Sequence, residues 1–178
     1  MGVETVAETD VGRRRDHNED SVLAVSTDSG REGMGTTLVA ALVRDDTTTV
    51  VNVGDSRAYS VTDDAIEQVT VDHSLVQQLV DAGQLTQEEA AAHPRRNVIS
   101  QALGASDGVD PDTFSLELDP GETLLLCSDG LTEEVPESTI HEVVSTTDAL
   151  ADAADILVET ANENGGSDNV SVVLGRRG

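Results

Sequence analysis

The sequence predicts a single α+β domain rich in antiparallel strands, and three observations carry that prediction. Apolar and β-branched runs separated by short acidic turns fill the N-terminal part. A helical period takes over after Asp72. Strands return near Phe114, and a long amphipathic stretch then leads into a last apolar run. At 178 residues the chain can bury one hydrophobic core, and no repeat, linker or low-complexity tract divides it. Residues 1–178 are therefore expected to form one domain.

Residues 21–27 form a short apolar run, and residues 36–44 and 47–53 form two β-branched runs around Asp45-Asp46. Residues 57–61 continue after a Gly-Asp-Ser turn, and Asp63-Asp64 marks another turn before residues 66–71. From 72 to 82, Leu75, Val76, Leu79 and Val80 recur at helical spacing, with Gly83 as a stop. Thr86-Gln87-Glu88-Glu89 has the pattern of a capping box and opens a short helix that Pro94 ends. Residues 97–103 predict a further turn or helix. Strands over 114–118 and 123–127 are joined by Asp119-Pro120-Gly121-Glu122. One helix runs from Pro136-Glu137 to about 145. A longer one lies within 147–164, with Ala149, Leu150, Ala153, Ile156, Leu157, Thr160 and Ala161 on one side. Residues 170–174 close as a strand, and Gly175-Arg176-Arg177-Gly178 reads as a frayed end.

Composition excludes several functions. The formal charge is −25, from 35 acidic and 10 basic residues, and every basic residue is an arginine. Such a chain has no basic surface for nucleic acid. Acidic groups spread over the whole length predict adaptation to high salt, where screening suppresses self-repulsion. Cys127 is the only cysteine, which excludes an internal disulfide and predicts a reducing compartment; within its apolar run it reads as an inert core residue. No window approaches a membrane span, and the N-terminus lacks a basic flank and an apolar segment. The expected location is the cytoplasm.

The chemistry is carried by acidic signatures where apolar runs end: Gly54-Asp55-Ser56-Arg57, Ser128-Asp129-Gly130 and Ser167-Asp168-Asn169. A fourth, Arg15-Asp16-His17-Asn18-Glu19-Asp20, precedes an apolar run. Carboxylates converging on one rim of a sheet repel one another unless a cation or an arginine neutralises them. Hard, oxygen-seeking cations such as Mg²⁺ or Mn²⁺ suit such a site, and an arginine beside it points to phosphate chemistry. Bland readings compete: Arg13-Arg14-Arg15 as a solvated basic patch, the aspartates as turn residues, and Arg57 pairing with Asp55. His73 and His93 sit at helix boundaries, where histidines cap or pack.

Taken in order, these segments resemble the PPM (PP2C-like) family of metal-dependent protein serine/threonine phosphatases in its compact prokaryotic form. The matching stretches include Arg15-x-x-Asn18-Glu19-Asp20, Gly33-Met34-Gly35-Thr36-Thr37, Val53-Gly54-Asp55-Ser56-Arg57 and Asp72-His73-Ser74. They continue with His93-Pro94-Arg95-Arg96-Asn97, Cys127-Ser128-Asp129-Gly130 and Gly165-Gly166-Ser167-Asp168-Asn169. The resemblance implies a β-sandwich flanked by helices and a two-metal site that activates a bridging water against a phosphomonoester, without a phosphoenzyme. It implies that Arg15 binds the phosphate and that Asp129 and Asp168 ligate metal directly. Glu19 would hold a metal through water, with Asp20 behind it, and Asp55 would serve a weaker third metal. Asn169 and Gly130 would shape the rim. The partner implied is a phosphorylated protein.

One departure stands out. The family carries an Asp-Gly-x-Gly-Gly signature, whose Asp bridges the metals, followed by a pair of long helices. Here Asp28-Ser29-Gly30-Arg31-Glu32 runs straight into Gly33-Met34-Gly35. The domain is thus expected to be shortened between about residues 27 and 33, with one helical layer reduced or absent and Asp28 as the only nearby stand-in. Two functions follow: a phosphatase with weakened Mn²⁺ or Mg²⁺ binding and reduced turnover, or an inactive pseudophosphatase that binds a phosphoprotein or regulatory partner. The uncovered sheet face, lined by alternate residues of 38–43 and 49–53, predicts a homodimer or partner complex.

Overall fold

A chain with one Tyr and one Phe must fill its core with Val, Leu, Ile and Ala, and it does so in two layers. A computed structural model describes residues 3–15, 35–44, 47–104 and 108–178. In order they form β1 (Val3–Asp10), β2 (Leu38–Arg44), β3 (Thr47–Val53), β4 (Arg57–Val61) and β5 (Ile66–Gln68). Helices α1 (Leu75–Asp81) and α2 (Gln87–Ala91) precede β6 (Asp112–Leu116) and β7 (Thr123–Cys127). Helices α3 (Asp129–Thr132), α4 (Glu137–Thr146) and α5 (Leu150–Asn164) lead to β8 (Val170–Arg177). Five strands in the order β1-β8-β7-β4-β5 make one antiparallel sheet, and β2-β3-β6 make a second.

Because strand side chains alternate, each face of the larger sheet has its own partner. Tyr59, Leu125, Cys127, Val172 and Leu174 pack against Leu131, Ile140, Leu150 and Leu157 from α3, α4 and α5. On the opposite face Ala58 and Leu124 meet Val50 of the smaller sheet, with Val39, Phe114 and Leu126 around them. The architecture is the expected antiparallel sandwich flanked by helices. No described helix makes an extended contact with β2, β3 or β6. On the outer face of that sheet Leu38, Ala40 and Leu42 lie opposite Val53, Val51 and Thr49. Leu42 is 56% exposed, but Leu38 and Val51 are half-buried and Val53 is buried, so the uncovered patch is narrower than expected. The shortened stretch between about residues 27 and 33 lies outside the described residues.

Three differences from expectation have clear causes. Strand β1 was not anticipated; it forms by pairing all eight of its residues with β8. For the same reason the C-terminus is not frayed, since Gly175, Arg176 and Arg177 pair with Thr5, Glu4 and Val3. Arg176 also donates to the carbonyls of Val144 and Asp148, holding the last turn of α4 and the loop after it. Of the two alternatives for residues 97–103, the helix does not form; the segment turns and is pinned by single bridges, Thr36 to Leu103 and Ser74 to Ile99. The buried stripe of α5 is Leu150, Ala153, Ala154, Leu157, Val158, Ala161 and Asn162, whereas Ile156 faces out. The capping box is present, with reciprocal bonds between Thr86 and Glu89.

The rotation of α5 sets a test. Leu157→Ala opens a cavity in the helix–sheet core and should cost about 2–5 kcal/mol. Ile156→Ala, one position away on the exposed side, should cost under about 1 kcal/mol. Equilibrium denaturant unfolding of the two variants reads the difference directly.

Candidate active site

Strand register decides which residues can meet. Arg57 at the start of β4 lies opposite Cys127 at the end of β7, and Cys127 lies opposite Val172 near the start of β8. Val170 lies opposite Asp10 at the end of β1. Asp55 before β4, Asp129 after β7, Asp168 before β8 and Arg15 after β1 therefore all leave the same end of the five-stranded sheet. Glu19, Asp20 and Asp28 lie outside the described residues.

Close backbone contacts bind these loops together. The amides of Arg13 and Arg14 donate to Gly166 O at 2.9 and 3.2 Å. Asn169, almost fully buried, donates from Nδ2 to Val11 O at 2.7 Å. Gly12 adopts φ +78°, and a Cβ there would lie 2.2 Å from Asp168 O, so only glycine permits this approach. A Cβ on Gly130 would likewise lie 2.1 Å from Asn169 O. Ser128 completes the seam, accepting at Oγ from Ser171 N at 3.0 Å. Arg15 is thereby brought to Asp168 and donates from Nη2 to its Oδ2. The other oxygen, Oδ1, accepts from Asn169 N at 2.8 Å.

Beside this seam, α1, α2 and α3 bound a cleft of about 270 Å³. Asp55, Asp72, Asp129 and Glu133 line it, together with Arg57, Arg96, Asn97 and Thr132. Arg57 does not pair with Asp55. Its Nε and Nη2 grip both oxygens of Asp72 at 2.7–3.1 Å, and its Nη1 donates to Tyr59 Oη at 3.2 Å. Burial works against that guanidinium charge, but Asp72 and Tyr59 together outweigh it and hold Arg57 above its usual value. Asp55 is left with a raised carboxyl pKa: burial is the main cause, and Asp72 and Glu133 add repulsion that Arg57 only partly offsets. Burial also pushes the Cys127 thiol up to about 12, in keeping with an inert core residue. Asp72, Arg96 and Asn97 stand in the matching stretches, where the resemblance gives them no role. The signal for Asp72 lay in its place just before helix α1, facing the start of β4 across the sheet edge.

The donor chemistry fits a hard divalent cation in part. Asp129 and Asp168 offer carboxylate oxygens on abutting loops, the ligands Mg²⁺ and Mn²⁺ prefer. Among the described residues, however, no three His, Cys, Asp or Glu gather into a metal-holding group. Asp129 and Asp168 are thus the two candidate cation donors on these abutting loops among the described residues.

The folded-state pKa of Asp55 lies above the unfolded value, so the unfolded chain gives up this proton first. Stability is lost as pH rises from the usual carboxylate range through the folded pKa. In the presence of a chelator, Asp55→Asn should unfold at a higher temperature than the parent at pH 7, and the gap should close as pH falls towards 4. Thermal melts at the two pH values check both halves.

The chain is similar to known proteins in both sequence and fold. The family model for Stage II sporulation protein E (SpoIIE) matches residues 16–178. The serine/threonine phosphatase stp of Listeria innocua is 42% identical over 160 residues, covering 90% of this chain and 64% of that protein. The chain thus spans a little under two thirds of the length of such curated relatives. The crystal structure of the Mycobacterium tuberculosis serine/threonine phosphatase PstP/Ppp superposes with a TM-score of 0.89 at 31% identity, covering 98% of each chain. A structure of the PstP catalytic domain in complex with two manganese ions gives 0.84 at 30% identity, covering 98% of this chain and 97% of that one. With this fold, these matches and this order of signatures, the chain belongs to the PPM (PP2C-like) family of protein serine/threonine phosphatases.

Proposed function

We propose that this chain hydrolyses phosphoserine and phosphothreonine in proteins, as a metal-dependent phosphatase whose cation binding is weakened. The observation that carries this reading is the arrival of Asp55, Asp129, Asp168 and Arg15 at one end of the sheet. Arg15 presents a planar guanidinium that can exchange the Asp168 carboxylate for two phosphate oxygens. Asn169 and Gly12 hold the turn that aims it. A divalent cation held by Asp129 and Asp168, with Glu19 and Asp20 contributing from the segment outside the described residues, would acidify the attacking water. Without the family's bridging aspartate, and with Asp28 as the only stand-in, affinity is expected in the millimolar range. The metal-bound PstP relative supports Mn²⁺ as the first cation to try.

A specific observation supports the second reading, a pseudophosphatase that binds phosphoprotein without turnover: Arg15 is already engaged by Asp168, and no three described donors gather. p-Nitrophenyl phosphate hydrolysis with millimolar Mn²⁺ at molar salt separates the two. The phosphatase should turn over, Asp129→Asn should lower kcat at least about 100-fold, and Arg15→Ala should lower kcat/KM about 10–100-fold. Binding of a phosphopeptide with no hydrolysis would install the second reading instead.

The same proposal includes a salt-adapted cytoplasmic setting, supported by the charge of −25 and the lone Cys127; no described helix is long and apolar enough to cross a membrane. Self-repulsion that extends over about 10 Å at 0.1 M salt shrinks to about 3 Å at 1 M. The melting temperature should therefore rise steadily between those concentrations. Association through the outer face of β2 and β3 is its last component, supported by exposed Leu42 and the absence of a described covering helix. Light scattering at molar salt should report a dimer in the parent and a monomer in Leu42→Asp.

A further inference from the structure

We propose that His73 is a positioning residue for Asp55, acting through the backbone of Gly54 as the neutral tautomer with its proton on Nε2. The inference rests on the reading of Asp55 as a cation-facing carboxylate of the proposed phosphatase. His73 is 8% exposed and sits between the Gly54 turn and β6. The amide of Gly54 donates to its Nδ1 at 3.2 Å. A backbone N–H can only donate, so Nδ1 must present its lone pair and the ring proton must reside on Nε2. That proton faces Asp112 Oδ2 at 3.0 Å, a carboxylate that can only accept. The ring is therefore fixed in one tautomer from both sides.

The clamp has a second jaw. His73 N donates to Gly54 O at 2.9 Å, so a single residue holds both backbone polar groups of Gly54. Asn52 Nδ2 adds a bond to the same carbonyl at 3.2 Å. Gly54 sits at φ +109°, and a Cβ there would lie 2.4 Å from the Thr37 methyl, so the turn has no room to relax that way. Ser56 Oγ, on the far side of Asp55, meets Thr37 Oγ1 at 2.8 Å. Asp55 itself faces the cleft alongside Asp72 and Glu133, which repel it. Burial and these carboxylates disfavour an ionised Asp55, with Arg57 offsetting only part of the repulsion, so its place in the cleft depends on a held backbone, and His73 does the holding. Packing alone would need a bulky ring but neither a matched acceptor nor a matched donor.

The test separates acceptor chemistry from bulk. In His73→Asn, the Asn Oδ1 stands near the Nδ1 position and can still accept from Gly54. In His73→Gln the amide reaches towards Asp112 instead, and His73→Leu offers neither. Nitrogen-15 spectra of the parent imidazole should show a protonated Nε2 and an accepting Nδ1. Exchange of the Gly54 amide, measured in chelator, should be about 10-fold faster in the Gln and Leu variants and near parental in Asn. Mn²⁺ affinity, read by paramagnetic broadening at Asp55, should fall about 10–100-fold in Gln and Leu and stay within about 3-fold in Asn. Equal impairment of Asn, Gln and Leu, or a proton on Nδ1, overturns the proposal. If the parent binds Mn²⁺ and cleaves p-nitrophenyl phosphate while the Leu variant matches it, the positioning role alone has failed. If the parent does neither, the phosphatase reading has failed, and the role of Asp55 falls with it.

Discussion

The site depends on the close approach of three backbone segments: the turn after β1, the loop before β8 and the start of α3. Electrostatics pulls two ways here: Arg15 attracts Asp168, while Asp168 and Asp129, on the loop before β8 and the start of α3, repel one another. Two carboxylates about 6 Å apart at an effective dielectric constant of about 20 repel by about 3 kcal/mol, while one internal hydrogen bond returns about 1 kcal/mol. Several bonds are needed for each like-charge contact, and the seam supplies them. Arg13 N and Arg14 N share Gly166 O, Asn169 reaches Val11 O, and Ser171 N reaches Ser128 Oγ. Gly12 and Gly130 make room for these bonds, since a Cβ at either would collide with the backbone of Asp168 or Asn169. The motif glycines are thus part of the electrostatic argument: they let backbone bonding outweigh the repulsion between carboxylates.

Arginine performs the complementary task. With 10 arginines against 35 acidic residues, each cation is scarce, and several are spent on cross-links. Arg57 locks Asp72 to the start of β4, Arg176 holds the carbonyls at the end of α4, and Arg177 donates to Leu118 O. A guanidinium fork can satisfy two acceptors in fixed directions, which a lysine ammonium does less well. The Arg57 cross-link extends inward through Tyr59 to Glu137 at the start of α4, tying the cleft wall to the helix layer.

Much of the fold was legible because its signals are local. β3, β4 and β7 fall where their apolar runs begin and end, and the Thr86–Glu89 box is a pattern within four residues. What escaped depends on partners distant in sequence. β1 reads Val-Glu-Thr-Val-Ala-Glu-Thr-Asp, with acidic residues breaking the apolar alternation, and is a strand only because β8 runs beside it. α3 has four residues, too few for a period. The strand-end aspartates were legible because apolar runs announce their own ends. The Arg57 partner was not: Asp55 is two residues away in sequence, but it lies in the turn before β4, and its closeness in sequence does not decide the pairing. Asp72, fifteen residues on, reaches across the edge of the sheet instead.

That choice of partner decides which carboxylate of the cleft Arg57 neutralises. Had Arg57 paired with Asp55, Asp72 would instead be the carboxylate of the same cleft left without a guanidinium. Turned to Asp72, it leaves Asp55, Asp129 and Glu133 facing one cavity with Arg96 at its rim, 4.0 Å from Glu133. A fold shaped for stability alone avoids a half-buried carboxylate with a raised pKa beside further carboxylates. Breaches of that kind persist where a ligand, not a neighbouring side chain, completes the charge balance. The surrounding construction points the same way, since Gly54, His73, Asn52 and Thr37 hold the offending turn in place instead of letting it swing into solvent. Holding a repelled carboxylate in a cleft serves folding poorly, and it is what the proposed cation-facing role of Asp55 would require.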